Sequence, residues 1–330
     1  MSSQKHGANG TSGPILLFGM PRSGTTWIGK IFDSSPDTLY RHEPDSWGSL
    51  NALPLLPDSA EAEQYRQAVE SFLARLPMSR RTKVAASLPI FQKAGESRLM
   101  WRLRSAGQFG IKALSNYVGE ISIPAWVDGP RRKLRPVWKS IESTGRLGVL
   151  LAIAPQARAI HIVRHPCGFV ASVLRGELKN KFESGKDSED FGLFELLCRT
   201  PQAARQGIVV ERLRAMTPAE RLAWRWRLVN EKAMEDCRTL AAYRTVAYDQ
   251  VCERPVEESE ALFAFAGLEM QAQTRQFLSM STRHENAAYY SVFKDPLKSA
   301  NKWRSELARE DIDGVMRVVG DSPLMDLFNH

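Results

Sequence analysis

Three short clusters in the 330-residue chain carry side chains that could handle anions and protons. The first is Gly19-Met-Pro-Arg-Ser-Gly24-Thr25-Thr26, directly after the apolar run Ile15 to Phe18. Its two glycines bound a turn, into which the N–H groups of Ser23 to Thr26 would point. The threonine hydroxyls and the Arg22 guanidinium add further donors. The second is Arg164-His-Pro166, with Ser172 eight residues beyond the arginine. A guanidinium can fork onto a phosphate, and a serine two helical turns on can donate to the same group. The third is Tyr40-Arg-His42-Glu43-Pro44, where an imidazole and a carboxylate stand side by side as candidate proton acceptors.

The elements around these clusters place them at comparable positions. Pro14 to Gly19 and Ala159 to Val163 read as continuous apolar strands, as expected of strands buried on both faces, and Pro136 to Ile141 as another candidate strand. Asp37 to Tyr40 and Tyr243 to Tyr248 read as further strands, and Gly110 to Ala113 as another. Helical spacing is read over Gly24–Ser34, Ser59–Leu76, Gly145–Ala154, Cys167–Arg175, Pro218–Ala242, Pro255–Ala266 and Arg309–Val319. The alternation predicts an α/β fold, a parallel sheet with helices on both faces. Residues 14–330 read as one domain behind a flexible tail, Met1 to Gly13. Leu178 to Arg199 reads as a mobile loop and Thr282 to Lys302 as a polar loop.

Composition narrows the function classes. With 43% hydrophobic residues the chain can bury a large core. The net charge of +8 suits an anionic ligand, but the basic residues are spread along the chain rather than clustered. Cys167, Cys198, Cys237 and Cys252 form no Cys-x-x-Cys pair, so neither a zinc site nor a redox couple is expected. Cys167 reads as a packing residue. Scattered free thiols, no signal-peptide core and no run long enough to span a membrane lead to the expectation of a cytoplasmic protein.

The first cluster keeps the glycine spacing of the nucleoside triphosphate loop G-x-x-x-x-G-K-[ST], but Thr25 stands where the lysine belongs. Pro21-Arg-Ser-Gly-Thr-Thr-Trp27 instead resembles the 5′-phosphosulfate loop of sulfotransferases that use 3′-phosphoadenosine 5′-phosphosulfate, PAPS. The arginine form is similar to the carbohydrate and tyrosylprotein branch. The cytosolic small-molecule branch has lysine there. The segment from Ile160 to Ser172 resembles that family's 3′-phosphate site. Weaker echoes are Val137-Trp-Lys139-Ser, Tyr248-Asp249 after a strand, and Ser299-Ala-Asn-Lys302-Trp303-Arg304, similar to the family's late loop over the nucleotide. The likeness spans about Ile15 to Leu307. Asn51 to Arg135 and Leu178 to Met216 match nothing in it and stand as acceptor or lid insertions.

The resemblance implies the sulfotransferase fold and transfer of a sulfuryl group to a sugar, glycolipid or other hydroxyl-bearing acceptor, with release of PAP and no metal. It places Arg22, Ser23, Gly24, Thr25, Thr26 and Trp27 at the 5′ side, Arg164 and Ser172 at the 3′-phosphate, Tyr248 near the nucleotide and Lys302 over the phosphates. Glu43 is the favoured base, from the Tyr-x-x-Glu-Pro pattern of carbohydrate sulfotransferases, and His42 is its rival. In the cytosolic branch a histidine on a later strand serves, where this chain offers Lys112 or Lys139. A P-loop kinase or nucleotide hydrolase is the alternative reading. It would require the missing lysine. A basic nucleic-acid-binding protein is a second, and would require a clustered basic surface with aromatic platforms. No nucleic-acid partner is expected.

Overall fold

The structure, a computed structural model, describes residues 13–46, 50–125, 134–179, 185–283 and 296–329. Five strands form one sheet, all parallel: β1 (Ile15–Phe18), β2 (Thr38–His42), β3 (Arg135–Ser140), β4 (Arg158–Val163) and β5 (Tyr243–Ala247). Their spatial order is β2-β3-β1-β4-β5. β1 is central and every one of its residues is buried, the reason its sequence is apolar without alternation.

The two sheet faces take alternate residues. Ile15, Leu17, Val137 and Ile160 pack beneath Ile28, Ile31 and Phe32 of the helix Thr25–Asp33, with Phe263 and Phe277 completing that layer. Leu16, Phe18 and Trp138 face the helices Leu147–Ile153 and Arg66–Arg75, where Phe72 meets Trp138 at 4.6 Å between ring centroids. A third cluster joins the helix Pro218–Cys237 to Pro166–Leu178 and Arg309–Val319. The parallel α/β architecture is therefore as the sequence indicates.

Three sequence expectations are corrected. Gly110 to Ala113 is no strand but part of a helix, Arg98–Val118, capped by Ser97, whose hydroxyl accepts from Met100 N–H at 3.2 Å. A four-residue window could not register that periodicity. Leu178 to Arg199 is not simply a loop. Asp190 caps the helix Phe191–Cys198, whose Phe194 and Leu197 enter the third core cluster. The short helices Pro201–Arg205 and Val210–Arg214 add Ala203 and Leu213 to it. Thr282 closes the helix Ala272–Arg283, and Pro296–Asn301 and Trp303–Glu306 are helical too. Met1 to Ser12 of the expected tail, 180–184 and 284–295 of the expected loops, and 131–133 of the basic run lie outside the described residues.

Because all strands run the same way, their carboxyl ends share one edge. Gly19 follows β1, Glu43 follows β2, Lys139 lies one residue from the end of β3, Arg164 follows β4 and Tyr248 follows β5. In open α/β sheets this edge, near the point where strand order reverses, is where ligands bind.

Candidate active site

The turn after β1 is built by backbone conformations that few residues adopt. Gly24 caps the helix Thr25–Asp33 with φ 81°, and Arg22 itself has φ 70°. A side chain at Gly24 would overlap the Tyr248 ring, so both the conformation and the space demand glycine. Ser23 N–H donates to Met20 O at 3.2 Å, closing the turn on itself. Ser23 therefore adds no free N–H, which narrows the expected cradle to Gly24, Thr25 and Thr26. The first turn of a helix leaves its N–H groups without intrahelical partners.

Arg22 reaches out of this turn to the second cluster. Its Nε donates to Ser172 Oγ at 3.0 Å. Arg175, one turn further along the same helix, also donates to Ser172 Oγ, at 3.3 Å. Arg164 Nη1 donates to the carbonyl of Arg22 at 3.0 Å, and its Nη2 to Ser299 O. Two guanidinium groups thus meet at one serine hydroxyl, and a third braces the backbone of the first.

The Arg164 turn is held from several sides. Trp226 Nε1 donates to Arg164 O at 2.9 Å, and Asp249 Oδ2 accepts from His165 N–H at 2.9 Å. His165 caps the helix Pro166–Leu178 and stacks on Trp303 with ring centroids 4.7 Å apart. The Arg164 guanidinium lies 5.5 Å from the Tyr248 ring centroid, and Tyr248 meets Trp27 edge-on at 6.3 Å. Trp27 Nε1 is anchored on Ser281 Oγ at 3.1 Å. Within this packing Arg164 Nε is buried and has no hydrogen-bond partner among the described residues. A buried, unsatisfied cationic donor is costly unless an anion completes it.

Lys302 lies at the N-terminus of the helix Trp303–Glu306. It is exposed and pairs with Glu306 at 3.0 Å, and Glu306 in turn pairs with Arg175. Cys167 is buried and its thiol is pushed up to about 12 by burial, in keeping with a packing role.

The third cluster sits two strands away, at the end of β2. Glu43 has φ 48°, its N–H extends the sheet ladder to Lys139 O at 2.8 Å, and its carboxylate pairs with Lys139 Nζ. Lys139 lies on β3 directly beside His42 and is buried. Burial lowers its pKa, and the Glu43 carboxylate opposes that shift. His42 Nε2 lies 3.7 Å from Glu43, while its Nδ1 is 2.9 Å from Tyr40 OH. Burial, then the nearby Lys139, Lys30 and Lys112, hold His42 down to about 2, so the imidazole is neutral.

Beneath this pair, Asp45 accepts from Trp138 Nε1 at 3.0 Å, from Ser143 Oγ at 2.6 Å and from Ser140 Oγ. Those bonds fasten the turn carrying Glu43 to the end of β3. Neither Lys139 as the partner of Glu43 nor Asp45 as its anchor was visible in the sequence. A lysine following Val137 and Trp138 in a candidate strand was the available signal.

The loops carrying Arg22 and Arg164 stand on the neighbouring strands β1 and β4, with the Glu43 carboxylate two strands from β1. A profile described as "Sulfotransferase family" matches residues 14–196. The chain belongs to the sulfotransferase family. Carbohydrate sulfotransferase 3 of Rattus norvegicus is 24% identical, the match covering 99% of this chain and 69% of that protein. The sulfotransferase domain of the Synechococcus PCC 7002 olefin synthase is similar in structure, with TM-score 0.46 and 15% identity, covering 98% of this chain and 100% of that one. A mouse sulfotransferase complexed with PAP gives TM-score 0.42 and 12% identity, covering 94% of this chain and 84% of that one.

Proposed function

We propose that this sulfotransferase moves a sulfuryl group from PAPS to a carbohydrate hydroxyl, releasing PAP, with Glu43 as the base. The observation that carries the reading is the convergence of Arg22, Arg164 and Ser172, with Arg164 Nε buried and unsatisfied. Such a donor set fits a phosphate ester held between two loops. The carbohydrate sulfotransferase relatives support the acceptor class.

When bound, PAPS supplies a sulfuryl group on an activated phosphosulfate anhydride. Arg164 and Ser172 would take its 3′-phosphate. The N–H groups of Gly24 to Thr26, at the helix N-terminus, and Arg22 would bind the 5′-phosphate and stabilise negative charge gathering on its oxygen. Glu43 would accept the acceptor's proton. With β3 between them, β1 and β2 lie about 10 Å apart. His42, held to about 2, is a poor proton acceptor at neutral pH, which supports Glu43 over it. Lys139 would hold the Glu43 carboxylate in place.

Calorimetric titration with PAP, against ATP with magnesium, tests the reading. Tight PAP binding that Arg164→Ala abolishes supports it. Preference for ATP with magnesium would return the chain to the kinase or hydrolase reading.

A further inference from the structure

The helix Arg98–Val118 turns its polar side inward. A helix on a water-soluble domain buries its apolar stripe. Among its described side chains the buried ones are Arg104 and Gln108, with Trp101 and Ile111 half-buried. Arg104 is paired with Glu96 at 2.7 Å and also donates to Phe91 O, while Lys112 donates to Ala86 O at 3.0 Å. The outward side carries Leu99, Met100, Leu103, Leu114, Tyr117 and Val118, each between 53% and 89% exposed. At 3.6 residues per turn these six occupy one arc of about 100°.

The charge on this helix decides what covers it. Arg98, Arg102, Arg104 and Lys112 are its ionic residues, and no aspartate or glutamate occurs from 98 to 118. Arg102 is exposed about 60° from the edge of the apolar arc, Arg98 is exposed further round on the first turn, and Arg80 is exposed beside the bridge from Arg81 to Ser122 just beyond the helix end. A second copy of the chain would bring like charges together. An anionic lipid surface complements both features, its acyl boundary taking the apolar arc and its headgroups the arginines. No helix among the described residues is long and apolar enough to cross a membrane, so this one would lie in the plane of the surface.

We propose that the Arg98–Val118 helix docks the enzyme peripherally on an anionic membrane surface. The inference does not depend on the sulfuryl donor. The test is co-sedimentation of the full chain with vesicles of phosphatidylcholine alone or mixed with phosphatidylglycerol. Partition onto the mixed vesicles, weakened by salt, is expected. The Arg98→Ala, Arg102→Ala double variant should lower it about 30-fold. Leu99→Glu with Leu103→Glu should lower it roughly 100-fold, because two apolar anchors become charged. Unchanged circular dichroism and PAP affinity would show that these variants stay folded and keep the donor site. No partition onto anionic vesicles, or equal partition by the Glu variants, would overturn the proposal. So would a sedimentation-velocity dimer that Leu103→Glu dissociates.

Discussion

Arg22 Nε donates to Ser172 Oγ at 3.0 Å, joining residues 150 positions apart. One stands in the turn after β1 and the other on the helix after β4, and the bond makes the two anion loops a single surface. Arg164 closes the join from below through the Arg22 carbonyl. Each guanidinium is therefore oriented before any ligand arrives, so less side-chain entropy is lost on binding.

Removing Arg164 should weaken PAP binding more than a surface charge would. Truncating a buried, charge-paired donor costs about 3 kcal/mol, or roughly 100-fold in affinity. Arg164→Lys should recover only part of this, since an ammonium cannot fork onto phosphate oxygens while holding the Arg22 carbonyl. Calorimetry on both variants checks it. Unaltered affinity in Arg164→Ala would remove the 3′-phosphate assignment.

Glu43→Gln should separate chemistry from donor binding. Loss of a general base lowers turnover by about 100- to 10,000-fold. PAP affinity should stay unchanged, because Glu43 lies two strands from β1. Steady-state kinetics beside PAP calorimetry reads both. If His42→Gln, and not Glu43→Gln, abolished turnover, the base would be reassigned.

Gly24→Ala should destabilise the loop through two independent effects. The φ of 81° penalises any side chain by about 1 kcal/mol, and overlap with the Tyr248 ring adds roughly 1–3 kcal/mol. Tyr248→Ala in the same chain should remove the overlap but not the backbone penalty. Urea unfolding of the single and double variants measures the difference, and strict additivity would contradict the contact.

Stability should fall as pH drops from 6.5 towards 4. Burial holds His161 and His165 down to about 4 and, with the lysines, His42 to about 2. Unfolded, each takes a proton near 6.5, so the unfolded chain binds more protons throughout that window. Each histidine contributes a slope of up to about 1.4 kcal/mol per pH unit, and stability is retained above 6.5. Asp249 and Glu142, whose carboxyls burial pushes up, act in the opposite direction. His161→Gln isolates one share. Its Tm should decline less between pH 6.5 and 4.5 than that of the unaltered chain, and parallel declines would refute the assignment.

The sheet was legible because strands buried on both faces leave largely apolar runs, as in Ile15 to Phe18 and, with His161 the one polar member, Ala159 to Val163. The anion loops were legible because backbone cradles demand fixed spacing, as between Gly19 and Gly24. Other features depend on distance that sequence does not carry. Asp45 bonds Trp138, Ser140 and Ser143, more than 90 residues away. Lys139 pairs with Glu43 across 96 positions. The Arg98–Val118 helix escaped because the window read, Gly110 to Ala113, was too short to show a helical period.

The strand order has an evolutionary consequence. The donor loops belong to β1 and β4, on the near side of β3 in space, whereas 43–134 is one continuous excursion between β2 and β3. Its first part, through Leu53, Val69, Phe72 and Leu76, is locked into the core. The remainder, including the Arg98–Val118 helix, is held by polar contacts, by Phe91 packed edge-on against Phe277 and by the small Ala86–Ile123 cluster. That stretch is a cassette. Exchanging it between relatives would leave the five-stranded sheet and the loops after β1 and β4 unaltered.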